Sequence, residues 1–173
     1  MTGLERGVPS SMTETVLDKE AFCAQVVRHQ DAMFRAAKAI LKQDEDAEDA
    51  VQEAICAAFA AREGLRDAAR FKPWILRILT NKCYDMCRRR KATVDLEEVA
   101  DYLPAAGTDP TDRLTLWQAV LALEEELRAA VTLFYYDQLT IREISGILGI
   151  SEAAVKTRLF RGRQRLRQML EEK

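Results

Sequence analysis

Apolar residues along the chain recur at three- and four-residue intervals, the spacing that lines one face of an α-helix. From Glu20 to Leu41 the repeat runs Phe22, Val26, Met33, Phe34, Ala37 and Leu41, which predicts an amphipathic helix with these residues as its core face. A second repeat follows through about Ala61: Ala47, Ala50, Val51, Ala54, Ile55, Ala58 and Phe59. This helix opens at Asp44, and its early acids suit the positive end of the helix dipole. The pattern lapses from Arg62 to Arg70 around Gly64, which reads as a loop. Pro73 fits the first turn of a third helix to about Lys91, with Trp74, Ile75, Ile78, Leu79 and Met86 as its apolar residues.

Periodicity then fails again. Ala92 to Asp112 carries Pro104, Gly107, Pro110 and several acids, and reads as a flexible linker with one short helical turn at Leu96 to Tyr102. Helices are expected from Arg113 to Leu123 and from Glu124 to Tyr136. The expected fold class is all-α: two small helical domains joined by a flexible linker. The divisions are a disordered stretch over 1–15, a first module over 16–91, the linker over 92–112 and a second module over 113–173.

The last forty residues carry the most specific signal. Thr140 to Leu148 predicts a short helix with Ile141, Ile144 and Leu148 on one face. Gly149 ends it, Ile150 plugs the turn and Ser151 caps the next helix. That helix carries Val155, Leu159, Leu166 and Leu170 inward, and Lys156, Arg158, Arg161, Arg163, Arg165 and Arg167 elsewhere. Two helices joined by a glycine-containing turn, the second one basic, form a helix-turn-helix. Its second helix fits the major groove of DNA, where guanidinium groups reach phosphates and guanine edges.

Charge looks at first unsuited to DNA, because the net value is −2. The average hides a segregation. Asp44, Glu45, Asp46, Glu48, Asp49 and Glu53 form a block without a base among them, whereas Arg62 to Lys91 and Lys156 to Arg167 are rich in bases. Bases gathered on particular faces hold phosphates whatever the net charge. No run of about twenty apolar residues is present, so no membrane insertion is expected. The first fifteen residues lack the apolar core of a signal peptide. Cys23, Cys56, Cys83 and Cys87 are scattered through helical segments and do not form a secreted disulfide pattern, which points to the reducing cytoplasm. Cys83 and Cys87 share a helix face, but with no CxxC and His29 the single histidine, neither a metal site nor a cofactor is expected. Nothing resembles a nucleotide loop or a nucleophile–base pair, so an enzyme is not expected.

Three blocks now stand in order: DEDAEDAVQEAICAAF, then FKPWILRILTNKCYDMCRRRK, then LEEELRAAVTLFYYDQLTIREISGILGISEAAVKTRLFRGRQRLR. Together, from about Phe22 to Leu170, they resemble a bacterial sigma factor of the small extracytoplasmic function (ECF) group, which keeps only regions 2 and 4. The first module matches region 2, and the second matches region 4 with its helix-turn-helix.

The resemblance implies a promoter-directing subunit of RNA polymerase. The helix matching Asp46 to Phe59 would dock on the β′ clamp helices of the polymerase core, with Asp46, Asp49, Gln52 and Glu53 as its polar contacts. The helix matching Trp74 to Lys91 would meet the −10 element through Asn81, Lys82 and Asp85, with Arg88, Arg89 and Arg90 gripping phosphates. The loop Arg62 to Arg70 matches the place where the family captures a flipped-out base. Phe71 and Trp74 are candidate stacking surfaces there, with core packing as the competing role. Lys156, Thr157, Arg158, Phe160, Arg161 and Arg163 match positions at the −35 element. The Glu124 to Tyr136 helix would face the β flap. The implied partners are therefore core polymerase, promoter DNA and an anti-sigma factor, which in this family is usually membrane-anchored. One departure stands out: Glu124 replaces the proline of the family's L-P-x-E-L-R signature, without expected loss of the fold. The alternative from the residues alone is a stand-alone helix-turn-helix regulator.

Overall fold

A computed structural model describes residues 17–94 and 116–172. The expectations for 1–15, for the helical turn at 96–102 and for nearly all of the linker lie outside these residues. Among the described residues there are no strands; seven α-helices carry the fold.

The first three helices form one layer of packing. Helix α1 (Lys19–Leu41) starts at Asp18, whose carboxylate accepts from the Ala21 amide at 2.7 Å. It ends at Lys42, in the left-handed region at φ 65°. Helix α2 (Asp44–Ala60) follows at once, with Asp44, Glu45 and Asp46 in its first turn. Ala47, Ala50, Ala54 and Ala58 are fully buried, so α2 lies close against α1 and α3 (Phe71–Val94). Methyl groups in place of larger side chains permit that approach. Two short 3₁₀ turns, Arg62–Gly64 and Ala68–Arg70, bridge α2 to α3. Phe22 makes edge-on contacts with Phe59 at 5.4 Å and Phe71 at 5.8 Å between ring centres. Leu76, Thr80 and Cys83 join the expected Ile75 and Leu79 in the core.

The second group comprises α4 (Leu116–Leu121), α5 (Glu125–Val131), α6 (Ile141–Leu148) and α7 (Glu152–Glu171). Helix α7 packs tightly on α5: a methyl group at Gly162 would lie 2.6 Å from Val131 Cγ2. The apolar stripe of α7 is shorter than its sequence suggests. Val155 and Leu159 are buried and Leu166 is half-buried, but Leu170 is 46% exposed. At 3.6 residues per turn the stripe drifts, and half-buried Met169 takes the inward position there.

The segment expected as one helix from Glu124 to Tyr136 divides in two. After α5 the backbone widens into a π-helical turn over Thr132–Tyr136, closed by the Asp137 amide donating to the Thr132 carbonyl at 3.1 Å. Gln138 follows at φ 57°. The wider turn changes the direction in which Asp137 points.

The two groups are packed against each other rather than standing apart. Helix α1 contacts α5 and the π turn, and α3 contacts α6. That junction buries Arg128 and Asp137, which are 2% and 0% exposed. The Arg128 guanidinium donates to the carbonyls of Ala39 and, at 3.4 Å, Ile40, and at 2.8 Å to Leu123. Carbonyls in the last turn of α1 lack intrahelical partners and sit at the negative end of its dipole, so a cation from the other group caps them. The apolar pattern does not announce this junction, because the segments it joins are far apart in sequence, although their buried apolar residues merge into one core.

Candidate nucleic-acid interface

The helix-turn-helix forms as its sequence dictates. Thr140 caps α6, accepting from the Glu143 amide at 3.1 Å, while its hydroxyl donates to the Glu143 carboxylate at 3.0 Å. Gly149 takes the left-handed conformation at φ 66°, which lets the chain turn directly into α7. Ser151 caps α7, accepting from the Ala154 amide at 3.1 Å. Ile144, Ile147, Val155 and Leu159 close the motif from inside, with Ile141 and Leu148 half-buried.

The outward face of α7 is polar and basic. Lys156, Thr157, Arg161 and Arg163 are exposed, and Phe160 presents 54% of its surface to solvent. Thr157 donates to the Ala153 carbonyl, and Arg163 donates to the Tyr135 hydroxyl at 3.1 Å. Arg158 is half-buried and lies 3.9 Å from the Glu126 carboxylate. It therefore sits at the edge of the face rather than at its centre.

A second polar face lies on α3. Asn81 is exposed, while Lys82 and Asp85 are half-buried. Asp85 pairs with Arg88 one turn on, and Arg90 pairs with Asp46 of α2. Arg88, Arg89 and Arg90 are all exposed. On α2, Asp49, Gln52 and Glu53 project outward, opposite the alanine stripe. The expected site residues thus fall into three patches: an acidic one on α2, a mixed one on α3 and a basic one on α7.

Between α3 and α6 lies a cleft of about 580 Å³. Leu65, Ala69, Arg70, Pro73, Trp74 and Arg77 form one wall, and Thr140, Arg142, Glu143, Gly146 and Ile147 form the other. Trp74 is half-buried in that wall, whereas Phe71 is 1% exposed and belongs to the core. His29 stacks on Phe71 at 5.8 Å. Arg77 and Arg142, which no motif singles out, also line the cleft. The signal for Arg77 was its place one turn before Asn81; Arg142 had none, because it reaches the cleft only through packing of α6 on α3.

The thiols differ in setting. Burial pushes Cys83 up to about 12, with a smaller contribution from Cys87. Cys87 is half-buried and also raised by burial, while Cys23 and Cys56 are exposed.

Comparison with known proteins decides the family. Residues 26–93 match the Sigma-70 region 2 family and residues 113–166 match Sigma-70, region 4. The chain belongs to the ECF sigma factors. The ECF RNA polymerase sigma factor SigW of Bacillus subtilis is 32% identical over 169 residues, covering 88% of this chain and 90% of its own. SigM of Mycobacterium tuberculosis is 34% identical over 156 residues, covering 88% and 79%. Among solved structures, the sigma factor RpoE from Bartonella quintana, in complex with the anti-sigma factor NepR, has the same fold. Its TM-score is 0.71 at 23% identity, over 88% of this chain and 98% of that one. CnrH, in complex with the cytosolic domain of CnrY, gives 0.63 at 25% identity over 90% of each chain. This sigma factor therefore directs transcription to promoters and is an initiation factor rather than an enzyme. Among its described residues no helix is long and apolar enough to cross a membrane.

Proposed function

We propose that this sigma factor docks on the β′ clamp helices of core RNA polymerase through Asp46, Asp49, Gln52 and Glu53, and reads promoter DNA with two separate surfaces. Asn81, Lys82, Asp85 and Arg88 to Arg90 meet the −10 element; Lys156 to Arg158, Phe160, Arg161 and Arg163 meet the −35 element. The observation that carries this reading is the outward segregation of charge. Acidic side chains project from α2, while arginines and lysine project from α7 with its apolar stripe turned inward. In this reading the chain divides into a region 2 module over 16–91 and a region 4 module over 113–173, joined by the linker, with α3 running on to Val94.

The loop between α2 and α3 captures a flipped base, with Trp74 rather than Phe71 as its aromatic surface. Exposed Tyr135 and the glutamates that open α5 face the β flap. An anti-sigma factor anchored in the membrane restrains the protein in the cytoplasm. The likeness to CnrH, solved with the cytosolic domain of CnrY, supports such a partner.

Purified protein added to core polymerase gives specific transcripts from a cognate promoter. The Asp49→Ala, Gln52→Ala double variant weakens core binding with helicity unchanged. Ala50→Asp instead damages the fold, because it places a charge on the fully buried stripe. Promoter-specific DNA binding with no affinity for core polymerase would replace this reading with that of a stand-alone regulator.

A further inference from the structure

We infer that the cleft between α3 and α6 is a binding site for a free nucleoside diphosphate or triphosphate, held from both walls at once. Its basis is geometry and charge, independent of the promoter assignments.

The charge of the cleft is unbalanced. Arg70 and Arg77 line one wall and Arg142 the other. All three are exposed, and among the described residues none of their guanidiniums is ion-paired or hydrogen-bonded. The one carboxylate in the lining, Glu143, accepts from the Thr140 hydroxyl at 3.0 Å. Two helices also begin here: Ala69, Arg70 and Pro73 surround the start of α3, and Thr140, Arg142 and Glu143 the start of α6. Each helix start carries about half a positive charge, and its first amides have no carbonyl within the helix to bond. With the guanidiniums, the lining holds about three net positive charges, which a nucleoside diphosphate neutralises. Guanidinium forks match phosphate oxygens in shape as well as charge.

The cleft suits the rest of a nucleotide too. Its volume of about 580 Å³ lies within the range of small-molecule sites, roughly 300–1,000 Å³. Trp74 is half-buried, held by Phe71 at 5.7 Å between ring centres, and its remaining surface lines the cleft. An indole held in this way stacks on a base of any identity. Gly146 stands on the facing wall, where a side chain would start in open space. The absent side chain leaves room for a planar ring. Buried Leu65 and Ile147 add apolar lining, and Glu143 Oε2 can accept from a ribose hydroxyl. Inorganic phosphate would leave Trp74 unused, and an uncharged aromatic would leave the guanidiniums unused.

This site differs from the base-capture loop proposed above. That loop needs α3 and the residues before it, whereas Arg142, Glu143 and Gly146 come from α6. A ligand bound only where both walls meet stabilises the folded chain and raises its melting temperature with concentration.

The test uses the full chain, free of polymerase and DNA, with ADP and GDP as probes and titration calorimetry as the readout. Adenosine and inorganic pyrophosphate supply the two halves of the ligand separately. At least one of the two nucleotides should bind once per chain, about 10-fold or more tighter than either half. Arg77→Ala and Arg142→Ala, on opposite walls, should each weaken binding by about 10-fold or more, as expected for loss of a charge-assisted hydrogen bond. Trp74→Leu should weaken it by about 5-fold or more. Gly146→Leu changes no charge but fills the cleft, and should abolish both binding and the rise in melting temperature that the nucleotide gives the wild type. The Arg165→Ala, Arg167→Ala double variant removes two exposed charges from α7, outside the cleft, and should bind as the wild type. No heat of binding from either nucleotide up to about 1 mM would overturn the site. Pyrophosphate binding as tightly as the nucleotides would overturn the role of the base and Trp74. A loss in Arg77→Ala with none in Arg142→Ala would place the ligand on α3 alone and overturn the bridged site. An equal loss in the α7 double variant would assign the binding to general basicity and overturn it as well.

Discussion

Arg90 of α3 is ion-paired with Asp46 of α2, so a residue proposed to grip DNA is joined to one proposed to meet polymerase. Asp46 is the more enclosed partner, at 17% side-chain exposure against 54% for Arg90. Removing either changes the position of the other. Asp46→Ala is expected to weaken core binding and also to alter −10 binding, which Asp49→Ala should leave alone. A double-mutant cycle on folding stability should give a coupling of about 0.2–1 kcal/mol for this pair. Zero coupling in both stability and promoter binding would separate the two surfaces.

The two DNA-facing helices should fail differently. Arg161 and Asn81 are exposed, and each can be truncated without touching the core. Arg161→Ala should cost about 1–3 kcal/mol in binding where a base contact is lost, and should depend on the −35 sequence. Asn81→Ala should respond to −10 changes. Open-complex formation on a matrix of promoter variants measures both. In the open complex the effects should add, as expected of distant sites. An Arg161→Ala effect confined to −10 preference would reverse the placement of the modules.

Three glycines in the second module should respond with different signs to alanine. At Gly162 the new methyl group meets Val131 Cγ2 at 2.6 Å, within a buried helix contact, so a loss of about 1–3 kcal/mol is expected. At Gly149 there is open space but φ is +66°, so backbone strain alone costs about 1 kcal/mol. At Gly146, helical and unobstructed, alanine should stabilise by roughly 0.5–1 kcal/mol. Chemical denaturation ranks all three; a stabilising Gly162→Ala would mean that α5 and α7 separate easily.

Acidity should act through Asp137. Its carboxyl, ordinarily at 3.8, is pushed to about 6 by burial, against the opposing pull of Arg35 and Lys72. Between those values the packed form holds a proton that the unpacked form has released. Stability contributed by this group is therefore complete below about pH 4, falls as pH rises toward 6, and is level above that. The full swing is at most about 3 kcal/mol. Asp137→Asn should flatten this part of the stability profile. An unchanged profile in that variant would assign the titration to another group.

Thiol chemistry should follow burial. Cys23 and Cys56 are exposed and should react readily with a maleimide or disulfide reagent in the folded protein. Cys83, buried and raised to about 12, should react only on unfolding, with Cys87 between. Mass spectrometry of a timed reaction gives the order. Rapid modification of Cys83 would show that α3 opens from its neighbours.

The alternation of apolar and polar positions determined the helices of this protein, and local chemistry determined their ends. Asp18, Thr140 and Ser151 cap helices, and Gly149 turns left-handed, because each needs only its near neighbours in the chain. The same periodicity turned the arginines of α7 outward once Val155 and Leu159 were inside. Tertiary structure alone decided the rest. Arg35, Arg128 and Asp137 read in sequence as ordinary surface charges, yet two of them are buried between modules about a hundred residues apart. The π turn that redirects Asp137 has no residue signature of its own. Leu170 satisfies the helical repeat but lies beyond the reach of the second module's core. Periodicity reports which face of an element seeks burial. Which carbonyls at a helix end meet a distant guanidinium, and which carboxylate loses its water, depends on how whole helices come together.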